Sequence, residues 1–334
     1  MPPLLRVSDL QTHYFGFRGS RVVKAVDGVS FSLEAGETFG IVGESGSGKT
    51  TTCHSIVRLL SPGARIVGGR TELDGEDLLA KRAADMTAIR GRRIATILQD
   101  PMASLDPLFS IYNQVAEPAY YHRGLRGRSL RQRVRELLAA VRIPSPESRM
   151  RELPHQMSGG MRQRIVGAIA QAGGPQLIIA DEPTTNLDVT IQLQYLNLLK
   201  DLQKASGVAL IFVTHNLGIV AKMCDRVAVM YAGKIVELQS VRGLFYEPRH
   251  PYTRALLDSM PKLGVREPLY IIPGQPPDLS ALPTGCSFHP RCARAMDRCR
   301  AEEPPEQRFD GSGLARCWLG APEGRADAPE ARRG

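Results

Sequence analysis

Apolar residues along this chain fall into two rhythms. Unbroken runs at Thr38-Phe-Gly-Ile-Val-Gly43, Ile94-Ala-Thr-Ile-Leu98, Leu177-Ile-Ile-Ala180 and Ala209-Leu-Ile-Phe-Val213 predict strands buried on both faces, as in a parallel sheet. Elsewhere apolar positions recur every three or four residues. Leu130, Val134, Leu137, Leu138 and Val141 predict one amphipathic helix, and Met161, Ile165 and Ile169 another. A helix is also expected from Lys49 to about Leu60, directly after the first strand. Strands alternating with helices predict an α/β fold.

Composition adds bounds to that pattern. At 334 residues with 43% apolar side chains, the chain can bury one large domain plus an appendage. No run approaches the roughly 18 apolar residues a spanning helix needs, and Met1-Pro-Pro-Leu-Leu-Arg6 lacks the basic start and apolar stretch of a signal peptide, so a cytosolic location is expected. The net charge of +9 permits attraction to nucleic acid or to an anionic membrane surface. Its densest stretch, Arg123 to Arg142, holds seven arginines but no aromatic residue to stack on a base. A solvated helix face explains it better, and no nucleic-acid partner is expected.

Candidate chemistry lies at the ends of the predicted strands. The segment Gly43-Glu-Ser-Gly-Ser-Gly-Lys-Thr50 follows the first strand and matches the phosphate-loop pattern G-x-x-x-x-G-K-[ST]. Gly43, Gly46 and Gly48 allow tight turns, so that N–H groups of Glu44, Ser45, Ser47 and Thr51 and the positive end of the next helix face phosphate oxygens. Lys49 is expected on the β- and γ-phosphates and Thr50 on Mg²⁺. The run ending at Ala180 delivers Asp181, a second Mg²⁺ ligand, and Glu182, placed to orient or deprotonate an attacking water. Gln99, touching metal or water, and His215, near the γ-phosphate, end two further strands. In Gln156-Met-Ser-Gly-Gly-Met-Arg-Gln-Arg164, Ser158 is a good helix cap and Gly159 and Gly160 bare their N–H groups, which makes an anion-binding terminus.

At this point the chain resembles the ATP-binding-cassette ATPases over nearly all of residues 4 to 245. Seven family motifs stand in order: Tyr14 as the adenine-stacking aromatic, the phosphate loop, Gln99, the signature Ser158-Gly-Gly-Met161, Asp181-Glu182, the D-loop Asn186-Leu-Asp188 and the switch His215. Met161 replaces the usual Gln, as peptide-importer cassettes commonly do, and Asn186 replaces a small residue. The resemblance implies two cassettes packed head to tail with ATP between them. The partner cassette, a paralogue or an identical chain, would place its γ-phosphate at Ser158, Gly159, Gly160 and Met161 and approach Asp188.

The implied fold is α/β: a P-loop NTPase core at residues 1–98 and 173–245 with an N-terminal antiparallel β part, an inserted α-helical signature subdomain at 99–172, and a Cys-containing C-terminal extension at 246–319. Residues 320–334, rich in Ala, Pro, Glu, Arg and Gly, are expected to be disordered. The segment from Gln99 to Tyr121 would touch membrane subunits.

Within the extension, Leu282-Pro-Thr-Gly-Cys-Ser-Phe-His-Pro-Arg-Cys292 resembles the tail of dipeptide and oligopeptide importer ATPases. Cys286, Cys292, Cys299 and Cys317 are separated by five, six and seventeen residues. A cytosolic chain seldom keeps disulfides, so metal leads, although structural zinc usually takes shorter gaps. Four thiolates suit an iron–sulfur cluster, which the family tail implies as [4Fe-4S]; zinc, using His289, and free thiols stay open. Cys53 and Cys224 are expected to be plain buried thiols.

The function implied is an ATPase subunit, peripheral on the cytoplasmic face of the inner membrane, that energises import of dipeptides or oligopeptides. Its partners would be a second cassette, two transmembrane permease subunits and, indirectly, an extracytoplasmic solute-binding protein. Import of nickel chelates or other small solutes is the nearer alternative, and action on nucleic acid or ribosomes the more distant one.

Overall fold

The computed structural model describes residues 2–16, 21–100, 104–185, 187–261, 268, 270–309 and 313–320. Asn186 and the residues after Gly320, both subjects of expectations above, lie outside them.

The elements follow in chain order. β1 (Leu5–Phe15), β2 (Val22–Leu33) and β3 (Thr38–Val42) lead into α1 (Lys49–Ile56), then come β4 (Ala64–Leu73), β5 (Glu76–Asp77), α2 (Ala83–Ile89) and β6 (Ile94–Ile97). Four helices follow: α3 (Ile111–Arg123), α4 (Gly127–Ala140), α5 (Pro146–Arg149) and α6 (Gly159–Ala172). The middle closes with β7 (Leu177–Asp181), α7 (Val189–Ser206), β8 (Ala209–Thr214), α8 (Leu217–Met223), β9 (Arg226–Tyr231) and β10 (Lys234–Ser240). The C-terminal part holds α9 (Val241–Tyr246), α10 (Pro251–Asp258), α11 (Asp297–Ala301), β11 (Gln307–Phe309) and β12 (Gly313–Ala315).

These elements divide between two compact units. The first comprises Met1–Arg6, Ser32–Thr38 and Glu72–Val213. Its strands β6, β7 and β8 run parallel, with Ile94 opposite Leu177 and Ile178 opposite Leu210. All five residues of β7 are buried, as an unbroken apolar run requires. Helix α6 packs on β6, α3, α4 and α7. Leu130, Val134, Leu137 and Leu138 form the buried face of α4, and Arg128, Arg131 and Arg135 stay outside as the spacing predicts, whereas Arg133 is half-buried.

The second unit comprises Val7–Phe31, Phe39–Thr71 and Thr214–Gly334. Strand β3 runs parallel to β9, β9 pairs antiparallel with β10, and β12 joins β10 to β11. Gly40 on β3 allows close packing: a Cβ there would lie 3.0 Å from Cys224 Sγ. The register of β9 and β10 shifts between Ile235 and Glu237, a bulge. Glu237 is fully buried beside it, and its carboxylate accepts from the main-chain N–H groups of Arg249 and His250, each at 2.8 Å. Burial holds its pKa above the usual carboxylate range.

Two expectations are adjusted. The helix after β3 ends at Ile56, because Arg58 turns to a φ of 54° and leaves Leu59 exposed. Of the two cysteines outside the C-terminal group, Cys53 is buried, whereas Cys224 is only half-buried. Among the described residues no helix is long and apolar enough to cross a membrane.

Candidate nucleotide site and the C-terminal cysteines

In the second unit, the loop from Gly43 to Gly48 joins β3 to α1 and bends where side chains cannot go. Gly43 sits at φ 155° and Gly48 at φ 105°. A Cβ on Gly48 would lie 2.2 Å from the carbonyl oxygen of Ala25, and one on Gly43 2.3 Å from that of Met230. Backbone alone therefore fits. The Lys49 ammonium donates to the carbonyls of Gly43 and Glu44, each at 2.9 Å, and so arches over the loop. Ser47 Oγ is buried with no hydrogen-bond partner among the described residues. An unsatisfied buried hydroxyl inside an anion-binding loop suits an incoming phosphate oxygen.

Tyr14 and Thr51 meet through their hydroxyls at 3.5 Å, which ties β1 to α1. His215 is exposed just beyond β8, and next to it Asn216 caps α8 by accepting from Gly218 and Ile219 N–H.

In the first unit, Asp181 ends β7 and is buried. Glu182 follows at φ 44°, a backbone state that non-glycine residues adopt at local cost. Its Oε2 accepts from Gln99 Nε2 at 3.1 Å and from Thr185 Oγ1 at 3.0 Å. Gln99 and Glu182 thus come together, although 83 residues separate them in sequence. These donors fix the carboxylate's orientation.

Ser158 caps α6 by accepting from Met161 N–H at 3.3 Å, as expected. Nothing lies within 4 Å of a Cβ built on Gly159, whereas one on Gly160 would lie 3.0 Å from Ile191 of α7. Asp188 caps α7, its Oδ1 accepting from Thr190 and Ile191 N–H at 3.1 and 3.0 Å. Asp188 therefore has a capping task beyond the D-loop place that its motif implies.

Two further residues of the second unit reach the phosphate loop without having been singled out. The Tyr252 hydroxyl accepts from Glu44 N–H at 2.9 Å. Arg291 grips the Glu44 carboxylate with both terminal nitrogens, at 2.6 and 2.9 Å. Arg291 lies in the stretch that resembles importer tails, but no local pattern states what either residue touches.

The four C-terminal cysteines share the second unit. Cys299 packs with Trp318, Cys286 and Met296, and Cys286 N–H donates to Cys299 O at 2.8 Å. Burial, reinforced by the neighbouring sulfurs, pushes Cys286 up to about 11 and Cys317 up to about 12, and Cys292 shifts the same way. His289 Nδ1 lies 3.0 Å from Cys286 O. Among the described residues, no three His, Cys, Asp or Glu side chains gather closely enough to hold a metal ion.

Comparison with known proteins gives the arrangement a context. Residues 26–185 match the ABC transporter family, and residues 236–299 match the oligopeptide/dipeptide transporter C-terminal region. The oligopeptide transport ATP-binding protein OppD of Bacillus subtilis is 46% identical over 332 residues, 98% of this chain and 92% of that protein. The dipeptide transport ATP-binding protein DppD of the same organism is 44% identical, covering 96% and 95%. Among solved structures, the dimeric post-hydrolysis state of the ATP-binding cassette MJ0796 bound to ADP and Pi superposes with a TM-score of 0.63 at 27% identity, covering 72% of this chain and 99% of that one.

Proposed function

The chain belongs to the ABC transporter ATP-binding proteins of the oligopeptide/dipeptide type, and from that premise we propose that it hydrolyses ATP to energise import of dipeptides or oligopeptides. One observation carries the reading. A phosphate loop in which Gly43 and Gly48 leave no room for a Cβ opens α1, in a chain that continues into the peptide-transporter C-terminal region.

The residues take distinct roles. On nucleotide binding, the Lys49 ammonium leaves the loop carbonyls for β- and γ-phosphate oxygens, while Ser47 Oγ and the loop N–H groups receive phosphate oxygens. Thr50, Gln99 and Asp181 offer the hydroxyl, amide and carboxylate oxygens that suit Mg²⁺, which would neutralise phosphate charge. Glu182, oriented by Gln99 and Thr185, accepts a proton from the attacking water. His215 serves the γ-phosphate and Tyr14 the adenine, roles supported by the motif order.

Assembly follows from family membership and from the α6 terminus. Two cassettes, identical or paralogous, close head to tail, so that Ser158, Gly159, Gly160 and Met161 of one meet the γ-phosphate held by the other, with Asp188 beside it. Helices α3 to α6, between β6 and β7, form a subdomain that contacts two transmembrane permease subunits on the cytoplasmic face of the membrane. A solute-binding protein outside supplies the peptide. By donor chemistry Cys286, Cys292, Cys299 and Cys317 match a [4Fe-4S] cluster or Zn²⁺, but among the described residues they are not gathered closely enough to hold one, so a bound centre would require them to draw together and would then brace the C-terminal extension.

The test is ATP hydrolysis by the chain assembled with its membrane subunits and presented with peptide or nickel chelate. Mg²⁺-dependent hydrolysis coupled to peptide uptake is expected. Uptake of nickel chelate alone would correct the substrate, and hydrolysis undiminished in Lys49→Ala would refute the site. An iron-free, zinc-free preparation made without air would remove the metal centre from the scheme.

A further inference from the structure

The phosphate loop carries a carboxylate where it must receive an anion. Glu44 is the second residue of the loop, and an unpaired negative charge there would repel phosphate. The structure answers with Arg291, from the C-terminal segment. Its two terminal nitrogens bind both Glu44 oxygens in a fork, and its side chain is only 4% exposed. The guanidinium is itself anchored: Nε donates to Pro273 O at 2.9 Å, and Nη1 lies 3.4 Å from the Tyr231 hydroxyl. The main chain of Glu44 is held separately, because its N–H donates to Tyr252. A single loop residue is therefore gripped by two residues that lie 208 and 247 positions away.

An ion pair that buries its guanidinium while leaving the Glu44 carboxylate partly exposed is a costly way to stabilise a fold, since apolar residues of similar volume usually do as well. Its placement points to another use. We propose that Arg291 is a positioning residue for nucleotide binding: by fixing and neutralising the Glu44 carboxylate, it sets the affinity of the phosphate loop for the polyphosphate of ATP. This deepens the ATPase reading and rests on it. It also gives the C-terminal segment a direct hold on the nucleotide site, because Arg291 precedes Cys292 in the same turn, whose N–H returns to His289 O.

The experiment measures ATP affinity of the full-length chain by titration calorimetry, and the KM and kcat of hydrolysis by the assembled transporter. Arg291→Ala should weaken ATP binding about tenfold and raise KM, with kcat changed by less than about twofold, because it exposes a repulsive charge in the ground state and the transition state alike. Adding Glu44→Gln should restore most of the affinity, since the amide removes the charge that Arg291 had balanced. Arg291→Lys, with a point charge in place of a fork, should fall between.

If Arg291→Ala does not fold, Arg291→Lys with and without Glu44→Gln gives the same comparison. A double variant no better than the single one, or unchanged ATP affinity in Arg291→Ala, would overturn the proposal. Failure of the folded wild-type chain to bind ATP at all would instead overturn the ATPase reading beneath it.

Discussion

The phosphate loop and the C-terminal segment that grips it hold their shapes by different means. The loop relies on main chain: Gly43 and Gly48 occupy positive φ in places where a Cβ would strike carbonyl oxygens at 2.3 and 2.2 Å. The segment relies on buried side chains. Tyr231 meets Tyr252 at a tilt and Phe288 edge-on, and Phe288 also meets the His250 ring at a tilt; Arg291 reaches Glu44, and the buried carboxylate of Glu237 receives the chain at Arg249 and His250. A site built from backbone fails all at once when one atom is added. A segment built from side-chain anchors loses its hold by degrees, and each anchor can be titrated or trimmed separately.

The sharpest way to break that contrast is to add or remove atoms in the loop. Gly48→Ala places a methyl carbon against Ala25 O, and Lys49→Ala deletes the ammonium. Each should lower hydrolysis by at least about a hundredfold, the usual scale for losing one preorganised charge-stabilising group. ATP binding should fall with it, measured by filtration with labelled nucleotide. Retention of near-normal hydrolysis in Gly48→Ala would mean that the loop tolerates a second backbone path.

Glu182→Gln separates chemistry from binding. Hydrolysis should drop by about 10² to 10⁴-fold, the range for losing a general base. ATP affinity should persist, since the phosphate loop is untouched. Equal loss of both would move Glu182 from proton transfer to nucleotide binding.

Features set by neighbours a few residues apart could be read from the sequence. The phosphate loop, the buried β7 run, the apolar face of α4 and the Ser158 cap all depend on residues within about three helical turns, so their patterns are visible in one dimension. What stayed hidden is long-range. Nothing local distinguishes Arg291, bonded 247 positions away, from the other arginines of the tail. Glu237 likewise reads as an ordinary polar interruption of a strand, yet it is fully buried. Asp188 shows the opposite case: an Asp just before the apolar start of α7 carries a local cap signal inside its family motif.

A pH series sharpens the comparison on the side of the segment. His250 is buried at the start of α10, where its Nδ1 accepts from Tyr252 N–H at 3.0 Å. Burial lowers its pKa from 6.5 to about 3, so the folded chain holds it neutral while the unfolded chain protonates it. Its contribution to stability is complete above pH 6.5 and is lost as pH falls toward 3, at about 1.4 kcal/mol per pH unit. His250→Asn keeps an acceptor for Tyr252 N–H and removes the titration. Urea unfolding between pH 7 and 4 should show a shallower acid loss in the variant, and parallel curves would show that His250 does not carry it.

The smallest expected effect lies where the two regions join. Tyr252→Phe removes one hydroxyl and keeps the ring that packs against Tyr231 and Phe288. Glu44 N–H then loses its acceptor, which costs about 1–2 kcal/mol for a partly buried donor. If side-chain anchors act by degrees, stability should fall by about that amount and ATP affinity by about threefold, less than in Arg291→Ala because no charge is uncovered. A collapse of ATP binding as complete as that in Gly48→Ala would instead make the Tyr252 hydroxyl part of the loop's own architecture. The boundary between backbone-built site and side-chain-built support would then run through α10 and not through Glu44.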